Sequence, residues 1–265
     1  MRPIEPIRVL KVVEHIAPFR TWRMLLPMGI LLMICSAESL FSQVNPGQLI
    51  DRNSSSSATV SKNQLLAPGK ALQAIKRARA EVVGGHLDSA QKEIARALEI
   101  APRFAVAKVM QGAIDIETGD YDAANTFFQQ AIDDDPALGG AYVGMAVVLI
   151  HERRFQTALP LLDRAEALLP GAWFVHFAKA WDELEIGNPE AAIKQADVAE
   201  GLAGTDAERK SAGSYLRAMV FIHLKDVAAA RERLVEAVER DRGGKYSALA
   251  SKQLESLQAL SAAVR

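Results

Sequence analysis

The sequence predicts an all-α fold in which stacked helical repeats form a solenoid, and the main evidence is a fixed period of about 34 residues. Alanines return at this spacing in two series and prolines in a third, while glycines form a fourth that Arg153 interrupts. A long, fixed period is typical of proteins in which each unit packs only against its neighbours. The positions are Ala90, Ala124, Ala158 and Ala192; Ala97, Ala131, Ala165 and Ala199; Pro102, Pro136 and Pro170; and Gly85, Gly119 and Gly187.

The unit at residues 105–138 indicates what each repeated position does. Gly112 and Ala124 are small, as is needed where two helices cross closely, and Phe128 would fill the core. Gly119 can adopt a positive φ angle and end the first helix, and the closing proline cannot continue the second. Each unit is therefore predicted to be a helix–turn–helix.

These residues resemble the tetratricopeptide repeat family. The resemblance implies a right-handed α-solenoid of about five helix-turn-helix units with a C-terminal capping helix, together forming a domain at residues 69–265. The repeats are predicted at about residues 71–104, 105–138, 139–172, 173–206 and 207–244, and the cap at residues 245–265.

The end of the domain departs from the regular pattern. The second helix of the fifth repeat starts four positions later than the period predicts, and we place the four added residues at the start of the first helix. Thr205 to Glu208 form a capping-box sequence there, which would start that helix early. Apolar residues at helical spacing, from Tyr246 to Val264, predict the capping helix, because a solenoid needs a terminal element over its last apolar face.

Residues 1–42 are predicted to be a signal peptide or a signal anchor. Five basic residues precede an uncharged apolar run from Met24 to Ala37, a layout typical of secretory signals. Cleavage after this run and retention of residues 24–41 as a membrane anchor stay open, although the run is shorter than the ~20 residues that span a bilayer. A third possibility is that the segment is neither a signal peptide nor an anchor. A fourth is lipidation at Cys35, which the preceding Ile34 disfavours.

Residues 43–68 are predicted to be a disordered linker, because they are poor in apolar residues and contain a run of serines. A cleaved signal peptide and a retained anchor would both place the repeats in the periplasm or another extracytoplasmic compartment. With a retained anchor, the protein would stay attached to the inner membrane. The basic residues before the apolar run fit an amino terminus that stays inside.

Composition narrows the function classes further. The chain has 265 residues and a net charge of −1, which does not support a basic nucleic-acid-binding surface. The histidine spacing fits no metal motif, and we find no phosphate-binding loop or nucleophile elbow. We therefore expect no cofactor, no metal and no catalytic residue, and we interpret Asp133 to Asp135 as a solvated helix end.

The family resemblance also implies where a partner would bind. The second, fifth, ninth and twelfth positions of the first helices line a concave groove in this family, and here they are almost wholly apolar. Such a groove suits an amphipathic helix or an extended apolar segment. The candidate groove residues are Val106, Val109, Val143, Val147, Phe174, Phe177, Trp181, Tyr215 and Met219.

Three other interpretations of these residues stay open: they belong to the core, the chain fills its own groove, or two copies associate through it. We predict a non-catalytic interaction scaffold or adaptor of the cell envelope that binds a protein or peptide and no nucleic acid. The narrower alternative is an assembly factor for a secretion, pilus or polysaccharide-export machine. The alternative from another class is an enzyme, which would need a titratable polar cluster in the groove.

Overall fold

The computed structural model describes residues 68–263, with side chains described up to residue 259. The signal segment with Cys35 and almost the whole linker, residues 1–67, lie outside the described residues, as does Val264. Within residues 68–263 there are eleven α-helices and no strand, so the predicted all-α fold class is confirmed.

Ten of these helices follow one another as five pairs, and the eleventh stands at the end of the described chain. They are α1 Gly69–Val83, α2 Leu87–Ile100, α3 Ala105–Thr118, α4 Tyr121–Asp134, α5 Gly139–His151, α6 Phe155–Leu168, α7 Trp173–Ile186, α8 Pro189–Leu202, α9 Ala207–His223, α10 Val227–Arg240 and α11 Lys245–Ala263.

The described residues form two compact units, residues 68–178 and residues 179–263, and the boundary falls inside α7. In the first unit α1, α3 and α5 pack on their own second helices, and α3 and α5 also pack on the preceding second helices, α2 and α4. In addition, α3 packs on α5. In the second unit α9 packs on α8 and α10, and α11 packs on both α9 and α10.

Small residues let these helices approach closely, at the predicted crossing position Gly112 and also at Gly144, which the sequence analysis did not name. A Cβ atom at Gly112 would lie 2.9 Å from the Phe128 ring, and one at Gly144 would lie 2.2 Å from it. Ala124 and Phe128 are themselves fully buried. The Phe128 side chain therefore fills the space between α3, α4 and α5, as the repeat pattern predicted for this position.

The turn between the two helices of each pair has a residue with a positive φ angle at one fixed place. Glycine accepts this conformation without strain, whereas another residue type there costs roughly 1–2 kcal/mol. The five positions and their φ angles are Gly85 (76°), Gly119 (84°), Arg153 (62°), Gly187 (100°) and Lys225 (63°).

Lys225 lies four positions beyond the place that the period predicts from Gly187, so the four additional residues of the fifth repeat precede this turn. Correspondingly α9 has 17 residues, three more than α3 or α7. The predicted capping box is wrong by one residue, because Asp206 rather than Thr205 is the N-cap: its side chain accepts a hydrogen bond of 3.0 Å from the Arg209 amide.

The last helix, α11, covers the end of the second unit through its first turns. Tyr246, Ala250 and Gln253 are buried, and the Tyr246 ring lies 6.0 Å from the Tyr215 ring of α9. Leu254 and Leu257 are only half-buried. The most buried line of α11 therefore differs from the row of leucines that the apolar spacing suggested.

Candidate partner-binding site

In the first unit, six of the nine predicted groove residues lie on three first helices. They are Val106 and Val109 on α3, Val143 and Val147 on α5, and Phe174 and Phe177 on α7. None of the six is more than 2% exposed, and α3 and α5 pack directly on each other. The four valines therefore lie on adjacent helices, and their side chains are buried.

At the start of α7 the aromatic residues of this set pack on a third ring. Trp173 meets Phe177 edge-on at 5.8 Å between ring centroids, and it meets Phe174 at 6.4 Å in the same manner. Such edge-to-face pairs add roughly 0.5–1.5 kcal/mol beyond the apolar area that they bury. Trp173 itself is half-buried, so its ring connects this cluster to the surface.

In the second unit the remaining predicted groove residues are also buried. Trp181 lies on α7, and Tyr215 and Met219 lie on α9. Burial raises the pKa of the Tyr215 hydroxyl far above its usual value, so this group stays protonated at any physiological pH.

First and second helices of the first unit differ in how far they are buried. In α3 and in α5 ten residues are buried, and they point in all directions around the helix axis. In α2, α4 and α6 only three residues each are buried, on one stripe. The groove-register residues are therefore closed off from solvent, and a partner could reach them only after the covering atoms move.

A buried carboxylate on α7 is the main functional candidate that the sequence analysis missed. Asp182 is 0% exposed, and neither of its carboxylate oxygens has a hydrogen-bond partner. Burial, with smaller contributions from Glu183 and Glu185, raises its pKa to about 7. Ile114 and Val148 occupy the same place in the two preceding repeats, so a register comparison could have identified Asp182 as an anomaly.

Two further buried side chains, Asp115 and Ser214, each have a polar oxygen without a hydrogen-bond partner. Asp115 on α3 accepts a hydrogen bond of 2.7 Å from the Gln111 side chain through Oδ1, while its Oδ2 has no partner. Burial raises the pKa of Asp115, and the Gln111 hydrogen bond opposes this shift. The Ser214 hydroxyl on α9 is buried without a hydrogen-bond partner.

A shallow, open cleft of about 640 Å³, lined mainly by charged residues, lies between α8, α9 and α10 in the second unit. Glu200 accepts hydrogen bonds from Arg240 and, at 2.8 Å, from Arg217, which also pairs with Asp197 at 2.7 Å. Burial opposes ionisation of Glu200, but the two arginines outweigh it and lower its pKa. Because these charged side chains pair with one another, we interpret them as a structural cluster that holds α8, α9 and α10 together.

The aspartate run at the end of α4 corrects the solvated helix end that the sequence suggested. Asp133 is exposed, but Asp134 binds Arg103 at 2.9 Å and Lys108 at 2.5 Å, and Asp135 is buried. Burial opposes ionisation of Asp134, yet these two cations lower its pKa. They also compensate the negative charge at this helix end, which the helix dipole disfavours.

The described part of the chain contains no group of three or more side chains arranged to hold a metal ion. No helix within residues 68–263 is both long enough and apolar enough to cross a bilayer.

Comparison with known proteins relates part of the chain to one repeat family. Residues 115–173 match the profile of the tetratricopeptide repeat family. No curated protein sequence matches the chain. Among solved structures, the fold resembles TTC0263, a tetratricopeptide repeat protein of Thermus thermophilus, at 15% identity and a TM-score of 0.60, over 71% of this chain and 99% of that one.

Two further structures share the fold. PilF of Pseudomonas aeruginosa has 16% identity and a TM-score of 0.58, over 74% of this chain and 88% of its own. PilW, a widely conserved type IV pilus biogenesis factor, has 17% identity and a TM-score of 0.58, over 71% of this chain and 82% of its own.

Proposed function

We propose that the chain is a non-catalytic protein–protein interaction scaffold that binds its partner through the groove-register residues. The match of residues 115–173 to the tetratricopeptide repeat profile supports this proposal. The observation that carries this proposal is the apolar set on α3, α5 and α7 of the first unit. Solenoids of stacked repeats create extended concave surfaces, and repeat proteins use these surfaces to bind partners.

The composition of this set indicates the class of partner. Four valines and two phenylalanines offer apolar contact area without a basic side chain that could pair with a peptide carboxylate. An amphipathic helix or an extended apolar segment is the complementary ligand, and Phe174 and Phe177 are of the residue class that dominates interface energetics. In the second unit, Trp181, Tyr215 and Met219 offer the same chemistry.

We place the scaffold at the cell envelope, on the far side of the cytoplasmic membrane. The support is the basic and then apolar sequence of residues 1–42, read as a cleaved signal or as an anchor formed by residues 24–41. Fractionation of intact cells tests this placement: recovery of the whole protein in the cytosol would contradict it.

Crosslinked capture from intact cells tests the binding site. We expect Phe177→Leu to lose partners that the unchanged chain captures, because it alters an aromatic contact in the groove register. Phe128→Leu is the matched control: it makes the same change at an equally buried core position outside that register. Equal loss with both variants would indicate a general loss of folding, and an unchanged partner list with Phe177→Leu would exclude the groove.

A second candidate is an assembly factor for a secretion, pilus or polysaccharide-export machine. It is favoured by the shared fold with PilW, which is a pilus biogenesis factor. This candidate predicts that the captured partners are subunits of one such machine and that deletion of the gene stops its assembly. Normal assembly of these machines in the deletion strain would exclude the assembly-factor function. It would not contradict the general scaffold function.

A further inference from the structure

The open cleft between α8, α9 and α10, which we call the charged cleft, is lined by cations and anions of the second unit. Its volume of about 640 Å³ lies within the roughly 300–1,000 Å³ that is typical of ligand sites. Three of the lining side chains are cationic and two are anionic, so the lining has an excess of one positive charge. The lining residues are Asp197, Glu200, Gly201, Lys210, Arg217 and Arg240.

Glu200 holds two guanidinium groups in place at the centre of the charged cleft. Its carboxylate accepts hydrogen bonds from Arg217 on α9 and from Arg240 on α10, and its side chain is only 18% exposed. Arg240 also donates a hydrogen bond of 3.2 Å to the backbone carbonyl of Lys210. The two guanidinium groups are therefore positioned before a ligand arrives, which lowers the entropic cost of binding one.

The cations of the charged cleft keep hydrogen-bond donors that the described residues do not use. A guanidinium group has five N–H groups. Arg217 contacts two carboxylates, and Arg240 contacts two carboxylates and one backbone carbonyl. The Lys210 ammonium group forms no ion pair with another residue of the described part of the chain. All three cations can therefore donate to a ligand.

One of the two anions of the lining is only weakly held. Asp197 lies 2.7 Å from Arg217, but its side chain is 49% exposed, and exposed ion pairs of this kind contribute little to stability. Glu200, by contrast, is held by two arginines. A carboxylate of a ligand can therefore replace Asp197 on Arg217 while Glu200 keeps the arginine in position.

We propose that the charged cleft binds an extended acidic peptide segment of a partner protein, whose carboxylates pair with Lys210 and Arg217. The spacing of these two cations favours a peptide over a single small anion. They lie seven residues apart on α9, which is about 10 Å along a helix axis. An extended chain covers this distance with about three residues.

The charged cleft lies outside the groove register and differs from it in chemistry. It would take an acidic segment, whereas the site proposed above would take an apolar one. Together with that proposed function, the charged cleft would allow one chain to hold two partners at the same time.

Binding of a fluorescent oligoglutamate peptide to the full chain, followed by fluorescence anisotropy, tests this proposal. We expect oligoglutamate to bind more tightly than oligolysine of the same length, and added salt to weaken its binding. Lys210→Gln should weaken binding about tenfold, because it removes a charged donor. The matched control is Lys92→Gln, which removes the same charge at an exposed position of α2 and should change nothing. Asp197→Asn should tighten binding about threefold, because it removes a competing carboxylate.

Gly201 allows a second test that changes no charge. A Cβ atom at this position in α8 would meet open space, so a larger side chain can enter the charged cleft without disturbing the helix. Gly201→Phe should weaken oligoglutamate binding about tenfold, because the ring occupies the place of the peptide. The matched control is Gly69→Phe, at an equally open glycine of α1. Circular dichroism checks that both variants remain helical.

Three outcomes would overturn the proposal. They are equal binding of oligoglutamate and oligolysine, unchanged oligoglutamate binding by Gly201→Phe, and binding of inorganic phosphate without binding of oligoglutamate, which would indicate a small-anion site instead. The capture experiment with Phe177→Leu tests the apolar site separately. Failure of oligoglutamate to bind would therefore exclude the acidic-peptide site and would not contradict the proposed scaffold function.

Discussion

Asp182 is a single carboxylate in a place that two other repeats fill with an aliphatic side chain, and it makes stability depend on pH. Its pKa is about 7 in the folded protein and near 3.8 in the unfolded chain. Between these values the folded state keeps a proton that the unfolded state releases. Stability therefore falls as pH rises from about 4 to 7, and the full loss is present above pH 7.

We expect Asp182→Val to raise the free energy of unfolding by about 2–4 kcal/mol at pH 8, and by less at pH 5, because it removes an unpaired buried charge. Asp182→Asn should remove the pH dependence while keeping a polar group in the core. Urea unfolding at both pH values measures these changes, with the exposed Asp88→Asn as control. A pH slope that Asp182→Asn leaves intact would assign the effect to another group.

At the scale of secondary-structure elements, Glu200 joins three helices, since it lies on α8 and accepts hydrogen bonds from α9 and α10. Its pKa is lowered by Arg240 and Arg217 against the opposing effect of burial. This stabilisation is present above the unfolded pKa and is lost as pH falls through the lower folded pKa. The pH dependence of stability that Glu200 contributes therefore has the opposite sign to the one that Asp182 contributes.

We expect Glu200→Gln to lower the free energy of unfolding at pH 7 by roughly 1–3 kcal/mol, because charged hydrogen bonds become neutral ones. The variant and the unchanged protein should converge as pH falls through the lowered folded-state pKa of Glu200. The control is Glu190→Gln, an exposed residue of the same helix. Equal thermal unfolding of both variants at pH 7 would show that the cluster contributes nothing to the packing of α8 on α9 and α10.

For the molecule as a whole, the repeat predicts that equivalent positions respond alike. Ala90, Ala124, Ala158 and Ala192 are each 0% exposed. Leucine at any of them should overpack two helices and lower the free energy of unfolding by roughly 1–3 kcal/mol. Ala95→Leu in α2 and Ala167→Leu in α6 are exposed controls. Melting temperatures that do not separate the two groups would show that the register of the repeat is wrong.

The periodicity of the sequence predicted the structural features that recur in every repeat. It did not predict the features that belong to a single repeat. The places of Gly112, Phe128 and the left-handed turns follow from spacing, because the same steric demand returns in every unit. Thr205 and Asp206 are both good N-caps, so sequence could not choose between them. The near-complete burial of the groove-register residues was not predictable either, because apolar character alone does not distinguish a core side chain from one that a partner covers.

The contrast between first and second helices in the first unit also sets how freely this sequence can change during evolution. In α4 only three of fourteen positions are buried, so most others could exchange polar residues with little effect on folding. In α3 nearly every position is constrained in volume. Homologues should therefore diverge in charge mainly along second helices and conserve side-chain size along first helices. That pattern would let one architecture persist while sequence identity falls.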